Sequence, residues 1–105
     1  MKIVNITDED IIFDNGSTIS FYHSQDCCEW NYADFSQIDD IAKDYNFNED
    51  LKFEPIEGAG FRFGNDNQMV FVPCYSEQNG YYSCDIDIYY NGKEVLCLEC
   101  EEILS

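Results

Sequence analysis

Cys84-Asp85-Ile86-Asp87-Ile88-Tyr89-Tyr90-Asn91-Gly92-Lys93-Glu94-Val95-Leu96-Cys97-Leu98-Glu99-Cys100 reads as two alternating strands around one tight turn. A two-residue hairpin loop needs positive φ at both central positions, and Asn-Gly tolerates that better than other pairs. Asn91-Gly92 therefore sets the register. Counting outward, Tyr90 opposes Lys93 and Ile86 opposes Cys97, so Cys84, Ile86, Ile88, Val95 and Cys97 share a face expected to join the core.

The same signal recurs upstream. Asp14-Asn15-Gly16-Ser17 separates Ile11-Ile12-Phe13 from Thr18-Ile19-Ser20-Phe21-Tyr22-His23, again a hairpin. Gln78-Asn79-Gly80 is a third turn. A three-residue loop there sets Cys74 opposite Cys84 with Val70 and Val72 on the same face, and a two-residue loop reverses this. Phe61-Arg62-Phe63 and Met69-Val70-Phe71-Val72 read as further strands, whereas 46–60, with Pro55 and two glycines, reads as loop. Over 36–45 the spacing predicts a short amphipathic helix: Ser36 is an N-cap candidate, Asp39 follows three residues on, and Ile38, Ile41, Ala42 and Tyr45 form a stripe. The expected architecture is α+β, an antiparallel sheet of about five or six strands with one short helix, in a single domain over residues 1–105.

Composition narrows the function. Apolar residues make up 45% and aromatics 16%, which separates the chain from disordered acidic tails. Yet 22 Asp and Glu face only 5 Lys and Arg, a formal charge of −17. Direct nucleic-acid binding is disfavoured on that balance, because neutralising phosphate takes a basic surface. Excess negative charge instead suits a basic protein partner, or mimicry of nucleic acid toward one. Asp39, Asp40, Asp44, Glu49 and Asp50 gather in and after the expected helix, and Glu99, Glu101 and Glu102 close the chain. Trp30, Tyr32, Phe35, Phe47 and Phe53 are interleaved with acids, and aromatic anchors ringed by charge describe a protein interface. The partner-binding set is therefore Trp30 with Asp39, Asp40, Asp44, Glu49 and Asp50; the competing reading is a solvated acidic face. No apolar stretch has the length of a signal peptide or a membrane span, so the expected location is cytosolic with no membrane contact.

Tyr22-His23-Ser24-Gln25-Asp26-Cys27-Cys28-Glu29 sets the only histidine four and five residues ahead of two adjacent cysteines. Imidazole and thiolate are preferred zinc ligands, and local chelates of this kind draw their remaining ligands from a distant segment. Cys97-Leu98-Glu99-Cys100 is the candidate distal pair, although an extended strand points its two thiols to opposite faces. His23, Cys27, Cys28, Cys97 and Cys100 hold one ligand too many for a tetrahedral structural zinc, and Cys74 or Cys84 could replace one of them. The six cysteines also fit buried packing thiols, or disulfides in an oxidising compartment. A thiol or redox enzyme using His23 with Cys27 or Cys28 fits less well, since surrounding carboxylates raise thiol pKa values and no phosphate-cradling or metalloprotease motif occurs.

His23-Ser24-Gln25-Asp26-Cys27-Cys28-Glu29-Trp30-Asn31-Tyr32-Ala33-Asp34, with Asn79-Gly80-Tyr81-Tyr82-Ser83, resembles a family of small phage and prophage proteins of unknown function that share His-x₃-Cys-Cys-Glu. In size, acidity and Asn/Asp/Ile/Tyr-rich composition the chain also looks like phage-encoded type II-A anti-CRISPR proteins. That likeness implies a non-enzymatic inhibitor acting in the bacterial host cytosol, binding Cas9 and blocking the loading of target DNA into its positively charged channel. The alternatives are the thiol enzyme and a zinc-stabilised module with another host partner.

If the histidine–cysteine segment holds zinc, protein purified without chelator carries about one zinc per chain by elemental analysis. Cys28→Ser then lowers both metal content and melting temperature, because structural metal binding is coupled to folding. A metal-free protein in which all six thiols react freely in the native state rejects the site.

Overall fold

The computed structural model describes residues 1–23, 30–78 and 85–104. The first sheet holds β1 (Ile3–Ile6), β2 (Asp10–Phe13), β3 (Thr18–Tyr22), β8 (Asp85–Tyr90) and β9 (Lys93–Glu99), in the order β1-β2-β3-β8-β9 and antiparallel throughout. The second has β5 (Lys52–Ile56), β6 (Gly60–Asn65), β7 (Gln68–Gln78) and β10 (Glu101–Leu104) in the order β10-β7-β6-β5, with β4 (Trp30–Ala33) also pairing β7. Only β10 runs parallel to its neighbour among the described pairs. The two sheets share one core. Ile11, Phe13, Ile19, Ile86 and Ile88 come from the first, and Phe61, Phe63, Val70, Val72 and Cys74 from the second. Phe13 meets Phe63 edge-on across the interface, with ring centroids 6.4 Å apart at 89°, a geometry favoured by the ring quadrupoles.

This is a nearly all-β architecture, which corrects the α+β expectation. The predicted helix over 36–45 is two short 3₁₀ turns, Phe35–Gln37 and Asp40–Asp44. Asp34 accepts from the Ser36 amide and Asp39 from the Ile41 amide, both at 3.1 Å. Ile38 between them is extended, at φ −65 and ψ 132. Each Asp satisfies its own turn locally, and such side-chain bonds compete with an α-helical ladder. The stripe breaks accordingly: Ile38 and Ala42 are buried while Ile41 is 54% exposed. The segment 46–60 is not all loop either, because it contains β5, an edge strand on which Pro55 is tolerated. No helix among the described residues is long and apolar enough to cross a membrane.

The β8–β9 turn forms as its sequence dictates. Asn91 and Gly92 take φ 53 and 80, and Tyr90 pairs with Lys93. Beyond it the register slips: Tyr89 faces Glu94, but Ile88 faces Leu96, leaving Val95 as a bulge. One extra residue transfers every following side chain to the other face. Leu98 enters the core in place of Cys97, which sits opposite Asp87 in solvent. The larger apolar side chain is buried and the smaller thiol is exposed, so the slip gains buried apolar area.

Gly64 has φ +147, and a Cβ there would lie 1.9 Å from the Gln68 carbonyl oxygen. Gly64→Ala is expected to destabilise the protein by at least ~2 kcal/mol in urea denaturation, through strain and overlap with rigid backbone. Gly58→Ala, where the new Cβ meets nothing within 4 Å, is expected to cost only about 1–2 kcal/mol for its positive φ. Equal midpoints for the two variants would contradict the packing at β6–β7.

Candidate functional site

Strand β7 turns Val70, Val72, Cys74, Ser76 and Gln78 inward on alternate residues. The row begins apolar and ends polar. Ser76 and Gln78 are 0% and 2% exposed, so their polar groups need interior partners. Gln78 Nε2 donates to Ser76 Oγ at 2.6 Å, and the Ser76 hydroxyl donates to Asn31 Oδ1. Asn31 Nδ2 donates to the Asp85 backbone carbonyl at 2.9 Å and lies 3.3 Å from His23 Nε2. This buried network ties together β4, β7, the start of β8 and the residue that follows β3. His23, Trp30 and Asp85 stand next in sequence to residues outside the described ones, and so does Gln78. Sequence reasoning missed Asn31, Ser76 and Gln78. Their signal was polar side chains on the inward phase of an alternating strand.

Beside the network lies a cleft of about 660 Å³ between β3 and β4. Its apolar wall is Phe21, Tyr22, Trp30, Tyr32 and Phe35; Asp8, Glu9, Asp10 and Asp34 supply carboxylates. Tyr22 and Trp30 are 57% and 53% exposed. Trp30 packs on Tyr32 with centroids 4.5 Å apart, and Tyr32 on Tyr75 at 5.8 Å, an aromatic row across the outer face of β4 and β7. Asp34 is fixed by Ser36 Oγ at 2.5 Å and Gln37 Nε2 at 2.7 Å. The Ser36 hydrogen bond holds its carboxyl below the usual range, so it is ionised at neutral pH. Burial pushes the Tyr32 phenol up, and Glu77 and Asp34 push it further, keeping it neutral. The result is an uncharged aromatic surface beside fixed negative charge, which suits a cationic side chain.

The partner-binding residues expected from sequence do not form one surface. Trp30 adjoins the cleft. Glu49 accepts from Asn15 Nδ2 at 3.2 Å, and its carbonyl accepts from the Tyr90 hydroxyl at 3.0 Å, which places it and Asp50 at the opposite end of β3, a span of about 17 Å. Asp39, Asp40 and Asp44 are exposed on the 3₁₀ segment, with Asp40 3.4 Å from Lys43 Nζ. Phe47, expected as an exposed anchor, is 2% exposed and packs on Phe13.

Of the zinc set, Cys27 and Cys28 lie outside the described residues, as does the substitute Cys84. The distal pair is not assembled. Cys97 is exposed on the outer face of β9 and Cys100 is buried, its thiol within hydrogen-bonding reach of Cys74 rather than of Cys97. Alternation along an extended strand forces that separation. Among the described residues no three His, Cys, Asp or Glu side chains gather as for a metal. A hydrogen bond from the Cys97 thiol to Asp87, reinforced by burial and nearby carboxylates, pushes its pKa up to about 11. Cys97 is thus mainly thiol at neutral pH, a poor nucleophile.

A family described as a domain of unknown function, DUF7448, matches residues 1–88. That span contains the network, the cleft and His23; Cys97 and Cys100 lie beyond it. No curated protein and no solved structure matches the chain.

Asn31→Ala removes the acceptor of the buried Ser76 hydroxyl and a donor to the Asp85 carbonyl, and is expected to cost about 1–3 kcal/mol of unfolding free energy. A change below about 0.5 kcal/mol in denaturant titration would show the network to be energetically idle. Asp87→Asn removes the charge that suppresses Cys97, so its alkylation at pH 8 is expected to accelerate at least about tenfold, read by peptide mass spectrometry. An unchanged rate would separate the two side chains.

Proposed function

The chain belongs to the DUF7448 family, a domain of unknown function; we propose a non-enzymatic binding protein of the phage counter-defence type, with Cas9 as its target. The observation that carries this reading is the cleft where exposed Tyr22 and Trp30 stand among Asp8, Glu9, Asp10 and Asp34. Large aromatic side chains make strong interface anchors because they bury much apolar area with few rotors. The carboxylates beside them favour Arg and Lys on the partner, the residues with which Cas9 grips nucleic-acid backbones. The remaining surface charge contributes steering, since a formal −17 accelerates encounter with a basic channel. No chemistry on a substrate is needed.

A structural zinc belongs to the same proposal in a revised form. His23 with Cys27 and Cys28 forms the local half, and Cys84 replaces the separated pair Cys97 and Cys100 as the distal ligand. In support, Cys84 immediately precedes Asp85, whose carbonyl is bonded by the Asn31 that touches His23.

A competition assay tests the function: pre-formed Cas9–guide complex, labelled target DNA and a titration of this protein. Wild type is expected to displace DNA and block cleavage, more weakly as salt rises because exposed charges are screened over about 10 Å at 0.1 M. Trp30→Ala is expected to speed dissociation by at least about tenfold, as for an interface anchor. Reversing Asp8 and Glu9 to Lys should slow association, whereas reversing Glu49 and Asp50 at the far end should change inhibition little. No effect on DNA binding or cleavage at large excess, across several type II-A Cas9 orthologs, rejects the target.

A further inference from the structure

Cys100 is the single residue between β9 and β10, where the chain crosses from the first sheet into the second. The β10–β7 ladder pairs Glu101 with Tyr75, Glu102 with Ser76 and Ile103 with Glu77 in parallel. One step back along that ladder sets Cys100 beside Cys74. Neighbouring strands lie about 4.8 Å apart, inside the Cα separation of about 4.4–6.8 Å that a disulfide spans. Both side chains point inward, at 4% and 0% exposure, and both thiols are free. We propose that Cys74 and Cys100 are a latent cross-linking site, which a small-molecule disulfide such as oxidised glutathione closes into a disulfide stapling the sheet crossover to β7.

The chemistry is two successive thiol–disulfide exchanges. The Cys100 sulfur, as thiolate, attacks the small disulfide, forming a mixed disulfide and releasing one small thiol after protonation. The Cys74 sulfur then attacks the Cys100 sulfur, forming Cys74–S–S–Cys100 and releasing the second small thiol. The protein loses two protons and two electrons, and the small disulfide gains them. Within the folded protein both exchanges are slow: Cys100, which makes the first attack, is only 4% exposed, and the hydrogen bond with Cys100 and burial both push the thiol of Cys74, which makes the second, far up. Access comes through β10, a four-residue edge strand whose only strand partner among the described residues is β7. Local opening of an edge element of this kind exposes Cys100 without global unfolding. Once closed, the bond holds the last strand of the first sheet and the longest strand of the second together, so opening of β10 is suppressed.

The test uses the full chain, incubated natively with oxidised glutathione and then blocked with an alkylating agent. Non-reducing peptide mapping is expected to find the Cys74 and Cys100 peptides linked, with a mass loss of about 2 Da. Amide exchange across 101–104 should slow on oxidation, and the urea midpoint should rise and return on reduction. Cys97→Ala should keep all three changes, and Cys100→Ala should lose them. If Cys100→Ala fails to fold, the wild-type peptide map still decides. A map in which Cys74 and Cys100 stay alkylated, or in which either links mainly to Cys27, Cys28, Cys84 or Cys97, overturns the proposal.

Discussion

Strand β7 is the constraint on which the rest of the structure depends. It pairs with β6 over residues 68–73 and with β4 and β10 over 74–78, so three of the other four strands of the second sheet hydrogen-bond to it. Its alternation decides what each neighbour can bury. Val70 and Val72 face the phenylalanine cluster, Cys74 meets Cys100 at the crossover, and Ser76 and Gln78 open a polar interior that Asn31 of β4 completes. A shift of one residue would exchange this row for Met69, Phe71, Pro73, Tyr75 and Glu77, and put a carboxylate into the core.

Such strict packing matters because the surface works against it. With a formal −17, compaction is opposed by self-repulsion. The described ion pairs, Lys43–Asp40, Lys52–Asp66 and Arg62–Glu54, engage three of the five cations but are all solvent-exposed, and exposed pairs contribute about 1 kcal/mol or less each. Cohesion therefore falls on buried apolar area, where Phe13, Phe47, Phe61 and Phe63 contact one another in a continuous set of rings. Charge outside and rings inside coexist because strands send alternate residues to opposite sides.

Local signals in the sequence held where the chemistry was local. Asn91-Gly92 needed only its own backbone preferences to fix Tyr90 against Lys93. Six residues on, the same counting failed for Cys97, since a bulge at Val95 is favoured by what the core accepts, which no strand carries in itself. Helical periodicity over 36–45 was present but lost to Asp34 and Asp39, each closing a shorter turn with its own carboxylate. The edge strand containing Pro55 was hidden because proline reads as a breaker unless its position at the sheet margin is known. For the site, His23 and Trp30 were visible from composition and spacing. The carboxylates of Asp8, Glu9 and Asp10 were not, because it is the pairing of β2 with β3, Asp10 opposite Ser20, that brings them to the cleft.

The network and the cleft are two sides of one construction. Asn31 turns inward from β4 to Ser76 and His23, while its chain neighbours Trp30 and Tyr32 turn outward into the aromatic row. Strand alternation thus couples a buried polar hub to an exposed aromatic surface through a single four-residue element. Holding Asn31 by hydrogen bonds to β7 and β8 fixes the backbone of β4, and with it the directions of Trp30 and Tyr32. An anchor positioned before the partner arrives loses less conformational entropy on binding, and that saving goes into affinity. The buried polar groups are costly to stability in isolation, and their place beneath Trp30 gives that cost a purpose: they hold rigid the part of an acidic surface on which a basic partner would settle.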